Sequence, residues 1–145
     1  MHRSPDARLA DLADVLLSVA RSIHAPLVGD IVPLTATETT VMRYIDRNPG
    51  TTASAAAAGT RLQRSNLSTA VRGLEQKGLV ERSHDERDAR SVHLHPTALA
   101  AANLRRLRAA WAAIIGDALG EGADVEAAIA VLERLESGLG PTARG

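Results

Sequence analysis

The stretch that decides the fold is Arg61–Thr97, RLQRSNLSTAVRGLEQKGLVERSHDERDARSVHLHPT. Near its start, four apolar residues recur at the spacing of a single helical face. They are Leu67, Ala70, Val71 and Leu74. This pattern predicts an amphipathic helix that ends at Gly78, because glycine suits the left-handed position that follows a helix.

The outward face of this predicted helix carries small polar side chains and arginines. These candidate contacts are Arg64, Ser65, Asn66, Ser68, Thr69 and Arg72. Hydroxyl, amide and guanidinium groups reach base edges and phosphates, and none of them blocks close approach to a DNA groove. For Arg72 the alternative is a surface contact with Glu75 or Gln76.

Two short strands are predicted after the helix, Leu79–Ser83 and Ser91–His95. The second alternates between apolar and polar residues, as a half-buried strand does. A polar tip, His84–Arg90, joins them and carries Arg87 and Arg90. A helix with a polar outer face followed by an arginine-tipped hairpin predicts a winged helix-turn-helix that binds duplex DNA. The alternative is that both arginines are ordinary solvated charges.

Helices are also predicted on both sides of this stretch. Ser4-Pro5-Asp6 is a helix start, with a hydroxyl N-cap, proline in the first turn and an acid beside it. Apolar residues then step by three and four in a heptad-like seam of Leu9, Leu12, Leu16, Val19 and Ile23. Packing against another subunit and packing within the chain explain this seam equally well.

The segment Ala25–Pro33 breaks the first helix, and Thr35-Ala36-Thr37-Glu38 is a capping box that opens the second. The alanine-rich run that follows predicts a helix over about Thr52–Ala58, with Gly59-Thr60-Arg61 as the turn of the helix-turn-helix. Beyond the hairpin, Thr97 should cap a long helix that reaches about Leu119, and Asp124 should cap a last one.

Composition excludes several functional classes. The chain has 145 residues and no net charge, yet Arg61–Lys77 carries a net of +3 and Asp117–Glu136 a net of −5. This asymmetry fits a protein with one side facing DNA. Cysteine is absent, so a thiol redox switch or thiolate metal site is excluded. No signal sequence, membrane span or catalytic constellation is recognisable, and a cytoplasmic protein that is not an enzyme and needs no cofactor is expected.

The order of these elements resembles the MarR family of transcriptional regulators. The resemblance depends on Leu34-Thr35-(x)2-Glu38, on Lys77-Gly78-Leu79-Val80-Glu81-Arg82 and on Asp88-Ala89-Arg90, correctly spaced between the right helices. It implies a mainly α (α+β) fold in three parts. Residues 1–33 form an N-terminal dimerisation helix and linker, residues 34–96 the winged DNA-binding domain, and residues 97–145 the C-terminal dimerisation helices.

The resemblance also implies partners and residue roles. A homodimer would read a pseudo-palindromic site on double-stranded DNA. Arg90 matches the family's wing arginine, which enters the minor groove, and Asp88 matches the acid that braces the wing. Repression, released by a phenolic or aromatic carboxylate effector, is the family's common mode.

Candidates for the effector pocket are Arg21, His24, Tyr44 and Trp111. For Arg21 the alternative is a solvated surface position, and for the two aromatic residues it is the core. Two other functions stay open: a dimeric ligand-binding or interaction module that has lost DNA binding, and a metal-responsive regulator. The second rests on His84, His93 and His95, which lie close together in sequence. His93 and His95 share one face of a strand, but the sequence places no third ligand beside them, so no metal site is predicted.

Overall fold

The computed structural model describes residues 4–24, 29–88 and 90–139. These residues form α1 (Pro5–Ile23), α2 (Ala36–Arg47), α3 (Ala53–Thr60), α4 (Arg64–Gln76), β1 (Val80–His84), β2 (Val92–Pro96), α5 (Ala98–Leu119) and α6 (Val125–Gly138). The predicted mainly α fold with one small antiparallel sheet is confirmed. In the described ranges, no helix has the length and apolar character needed to cross a membrane. Of the predicted break at 25–33, residues 25–28 lie outside the described ranges.

The predicted helix starts are confirmed by their capping hydrogen bonds. The Ser4 hydroxyl accepts from the Ala7 N–H at 3.2 Å, and Thr35 forms both halves of its capping box with Glu38. The same kind of cap opens the two C-terminal helices, at Thr97 and Asp124. Each cap satisfies a backbone N–H that has no partner within its own helix, which is why the chain turns helical at these points.

The core of the molecule lies between α2, α4 and the base of the hairpin. Its largest fully buried side chains are Val41, Ile45, Leu67, Val71, Leu74, Leu79 and Leu94. The predicted apolar stripe of α4 is therefore buried, as expected. Helix α3 contributes only small residues, Ala56 and Ala57, so it packs close to its neighbours. A Cβ at Gly59 would overlap the ring of Tyr44.

The helix-turn-helix turn differs from the prediction by two residues. Helix α3 continues through Gly59 and Thr60, and the Thr60 hydroxyl donates to the Ala56 carbonyl at 2.6 Å. The turn begins at Arg61, which has left-handed backbone angles (φ 58°). Because an alanine tract has no apolar periodicity, its sequence does not mark where the helix ends.

Both strands begin one residue later than predicted. The Leu79 N–H donates to the Leu74 carbonyl at 2.9 Å, so Leu79 closes the end of α4. The Ser91 N–H donates to the Asp88 carbonyl at 3.0 Å, which assigns Ser91 to the turn at the hairpin tip. The strands pair in antiparallel register from Val80 opposite Pro96 to His84 opposite Val92, and Thr51 forms a short bridge to Leu94.

Helix α5 is joined to the winged domain through the segment that precedes α2. Asn103 is buried, and its side chain accepts from the Val32 N–H at 2.7 Å and donates to the Val32 carbonyl at 3.2 Å. Arg106 donates to the Asp30 carbonyl at 3.2 Å. By contrast, α1 and α6 contain no buried residue. The seam of α1 is thus not buried within its own chain.

Candidate nucleic-acid interface

Helix α4 presents its six candidate residues on one exposed face. Arg64, Ser65, Asn66, Ser68, Thr69 and Arg72 are all exposed. The Thr69 hydroxyl donates to the Ser65 carbonyl at 3.0 Å, so it is available to DNA as an acceptor. The remaining side chains of this face make no hydrogen bond or ion pair with the rest of the described chain. This face is therefore free to take partners from outside the protein.

The C-terminal turn of α4 is fixed to α2 by an ion pair. Lys77 is the only lysine of the chain, and its Nζ lies 2.5 Å from Glu38 Oε2 and donates to the Pro33 carbonyl at 2.8 Å. The side chains of Lys77 and Glu38 are 30% and 9% exposed. A Cβ at Gly73 would overlap Glu38 Oε1, so the absence of a side chain at this position leaves room for the Glu38 carboxylate. Spacing along the chain did not predict this cluster.

The hairpin tip is held by local hydrogen bonds from two aspartates. Asp88 Oδ1 accepts from the Arg90 N–H at 3.0 Å, and Asp88 Oδ2 accepts from the Ser91 hydroxyl at 3.2 Å. Asp85 Oδ1 accepts from the Arg87 N–H at 3.0 Å. Both arginines are exposed, and in the described chain their guanidinium groups have no hydrogen-bond partner. The role in bracing the wing that the resemblance implied for Asp88 stays a prediction.

Arg82, on β1, forms a two-point contact with Glu75 on α4. Its Nε donates to Glu75 Oε1 at 2.6 Å and its Nη2 donates to Glu75 Oε2 at 3.1 Å. The hydrogen bond to Glu75 is the main reason that the pKa of Arg82 is raised above its ordinary value, and partial burial opposes it. Glu75 is thus engaged by Arg82, and no contact joins it to Arg72.

These pairings change how the +3 charge of the Arg61–Lys77 segment is distributed. Lys77 is neutralised by Glu38, and Glu75 is neutralised by Arg82. Arg61 lines a groove beside Glu133 and Glu136 of α6, away from the outward face of α4. The outward positive charge therefore comes from Arg64 and Arg72, together with the two arginines of the hairpin tip.

Both histidines of β2 form hydrogen bonds at the base of the hairpin. His93 Nδ1 donates to the Gly50 carbonyl at 2.8 Å, and His95 Nε2 lies 2.9 Å from the Ser83 hydroxyl. Across residues 4–24, 29–88 and 90–139, no three side chains of the metal-binding types come together as a ligand set. The two hydrogen bonds give both rings a structural role at the base of the hairpin.

The four effector-pocket candidates do not line one common site. His24 and Trp111 border a cleft of about 280 Å³ between α1, α2 and α5. Arg43, which the sequence gave no reason to select, supplies a guanidinium to the same cleft. Tyr44 lines the neighbouring groove that faces α6, and Arg21 is exposed and lines neither.

Trp111 carries an unpaired polar atom. Its Nε1 is buried and has no hydrogen-bond partner among the described residues. A buried N–H without a partner costs about 1–3 kcal/mol. Apart from Trp111, the cleft has a largely apolar lining and the guanidinium of Arg43, which suits a ligand that carries an acid group.

Comparison with known proteins identifies the winged domain. Residues 32–91 match the model of the MarR family. The matched segment runs from the residues before α2 to the hairpin tip, so this part of the chain is similar to the MarR family. Members of this family are transcriptional regulators and not enzymes. In a search against curated protein sequences, no match was found.

Several solved structures share the fold over nearly the whole chain. The transcriptional regulator BldR from Sulfolobus solfataricus is 20% identical, with a TM-score of 0.71, and the match covers 93% of this chain and 99% of that one. PcaV from Streptomyces coelicolor, solved with its natural ligand, is 21% identical, with coverage of 94% and 97% and a TM-score of 0.65. FabT from Streptococcus pneumoniae, solved with DNA, is 23% identical, with coverage of 92% and 91% and a TM-score of 0.62.

Proposed function

We propose that this chain is a MarR-family regulator, a homodimeric, sequence-specific DNA-binding repressor. The observation that carries the proposal is the pairing of two free polar surfaces. Apart from the Thr69 hydroxyl, the side chains on the outward face of α4 have no hydrogen-bond partner in the described chain. The same holds for the guanidinium groups of Arg87 and Arg90, whereas neighbouring charges are paired. In this proposal α4 enters the major groove and Arg90 the adjacent minor groove. FabT, which shares this fold, was solved in complex with DNA.

Dimerisation is supported by the apolar surface of the terminal helices. Leu9 and Leu17 of α1 are 66% and 60% exposed, and large apolar side chains of α6 and of the end of α5 are exposed as well. Exposed apolar side chains on α1 and α6, which contain no buried residue among those described, call for a partner. A second copy is the simplest one, since two-fold symmetry would place two winged domains on a pseudo-palindromic site. In this arrangement residues 1–33 and 97–145 form the frame and residues 34–96 read the DNA.

The proposed effector is a phenolic or aromatic carboxylate bound in the cleft beside Trp111. Its acid group would pair with Arg43, and its ring would pack against the side chain of Trp111. His24 completes the polar part of the lining. PcaV, crystallised with its natural ligand, supports ligand control in this fold. Occupation of a cleft between α1, α2 and α5 would change the angle between the frame and the winged domain, and so the spacing of the two reading helices.

DNA binding is tested by titrating labelled DNA from around the gene of this protein at several salt concentrations. Each phosphate contact should contribute about −0.9 to the slope of log affinity against log salt. Arg90→Ala should weaken binding to every site, and most at narrow A·T-rich minor grooves. Arg72→Ala should alter base preference. Arg47→Ala removes an exposed arginine on the side that faces α6 and should leave binding unchanged.

Two results would refute the proposed function. One is equal affinity for flanking and random DNA, which would favour a ligand-binding or interaction module that keeps the fold. The other is unchanged binding by Arg90→Ala. The effector is sought with phenolic acids, using the fluorescence of the single tryptophan and release of DNA as readouts. Arg43→Ala should abolish the response and Arg47→Ala should preserve it.

A further inference from the structure

The hairpin is joined to the body of the molecule near its base. Leu94 forms backbone hydrogen bonds with Gly50 and Thr51, and the side chains of Val80 and Leu94 are buried in the core. In the described part of residues 84–91, every hydrogen bond stays within the hairpin. The side-chain hydrogen bonds that reach another element come from Arg82 on β1 and from His93 on β2. The direction in which the tip projects therefore depends on a small number of contacts near the base.

The two contacts lie on opposite faces of the hairpin. Arg82 is opposite Leu94 in the strand register, so it lies on the face that turns its buried leucine toward the core, and it reaches α4 through Glu75. His93 lies on the other face and reaches the Gly50 carbonyl before α3. A bidentate guanidinium–carboxylate contact fixes the relative orientation of its partners, which a single hydrogen bond does not.

We infer that Arg82 is a positioning residue for DNA recognition, and that its two-point contact with Glu75 fixes the angle between the wing and α4. This inference rests on the proposed DNA-binding function. Arg82 acts through Arg90: with the contact intact, the tip arginine and the polar face of α4 meet adjacent grooves of one duplex. Arg82 itself stays on Glu75, because two of its nitrogens already donate to that carboxylate.

Glu75→Ala separates this role from a direct phosphate contact by Arg82. Removing an acid near DNA and freeing a guanidinium should strengthen binding if Arg82 contacts phosphate. If Arg82 is a positioning residue, Glu75→Ala should instead weaken DNA binding, by about tenfold. An effect of this size is typical of residues that belong to one hydrogen-bond network. Arg82→Ala and Arg82→Lys should weaken binding to a similar extent, since lysine keeps the charge but loses the planar two-point geometry.

The matched control is Glu81→Ala. Glu81 is the neighbouring exposed acid on β1, and it has no hydrogen bond or ion pair in the described chain. Removing its charge should leave binding unchanged or slightly stronger. Thermal melts of each variant should stay close to the parent, because the contact is largely at the surface. Weakening by Glu75→Ala but not by Glu81→Ala supports the inference, and strengthening by both overturns it.

The link to the wing tip is tested by combining variants. If Arg82 works through Arg90, then Arg82→Ala should cost little affinity in an Arg90→Ala background, whereas independent contacts would give additive losses. Hydrogen exchange of the DNA-free protein gives a separate readout: Arg82→Ala should speed exchange of the Arg87 and Arg90 amides, and Glu81→Ala should not. A parent protein that shows no specific DNA binding would refute the proposed function, and the exchange measurement would still decide whether the contact orders the wing. Unchanged exchange together with additive losses would overturn the inference.

Discussion

Replacing Gly73 with alanine tests the packing between α2 and α4. Alanine is better than glycine in a helix interior by about 1 kcal/mol. Against this gain, the new Cβ would overlap Glu38 Oε1 and displace the carboxylate from Lys77 and from the Thr35 N–H. Displacing one member of a fully buried ion pair costs about 3–5 kcal/mol, which the partial exposure of Lys77 reduces to about 2–3 kcal/mol. The net expectation is a loss of about 1–2 kcal/mol in the free energy of unfolding, or roughly 3–8 °C in Tm.

The assay is chemical and thermal unfolding at one fixed protein concentration, because a dimer's stability depends on concentration. The control is the same substitution in a Glu38→Ala background. There the obstructing carboxylate is gone, so Gly73→Ala should stabilise the protein by about 0.5–1 kcal/mol, as helix propensity alone predicts. The sign of the effect should thus reverse between the two backgrounds. Stabilisation by Gly73→Ala in the parent chain would refute the reasoning.

Three further substitutions test other contacts. Asn103→Leu should lower the free energy of unfolding by roughly 2 kcal/mol, because it leaves the Val32 N–H and carbonyl without partners, and a denaturant titration that shows no loss would contradict this. Asp88→Ala removes the hydrogen bonds to the Arg90 N–H and the Ser91 hydroxyl and should weaken DNA binding, whereas Asp88→Asn should retain more of the DNA affinity. Equal losses of affinity in the two variants would show that the charge of Asp88, and not its bracing of the tip, matters. Trp111→Phe removes part of the ring that lines the cleft and should weaken effector binding, and unchanged effector affinity would contradict the proposed pocket.

The local features of the sequence predicted the fold well. Hydroxyl and carboxylate caps at Ser4, Thr35, Thr97 and Asp124 act within a few residues, so the sequence alone locates them. The apolar stripe of α4 is equally local, because one helical face turns toward the core. The predicted strand starts were wrong by one residue. Leu79 completes the end of α4 and does not begin β1, and a residue pattern does not show which of two adjacent local structures a residue joins.

Contacts between elements could not be predicted in the same way. Glu38 and Lys77 are 39 residues apart, and only the packing of α4 on α2 brings them together. Glu75 was considered as a partner for Arg72, three residues away, yet it binds Arg82 across the turn after α4. Arg43 is one of many exposed arginines until the fold places it beside Trp111. In each case the residue type was visible in the sequence and its partner was set by tertiary structure.

The most direct test of the account is the mass of the complex that the protein forms with its own flanking DNA. Native mass measurement on a short labelled fragment, repeated on a scrambled fragment of equal length, reports how many chains bind and whether they discriminate. Two protein chains should bind one flanking DNA fragment together. At the same salt concentration, the protein should bind the scrambled fragment far more weakly. A single bound chain, or equal occupancy of both fragments, would contradict the proposal that two copies of this winged domain read one duplex.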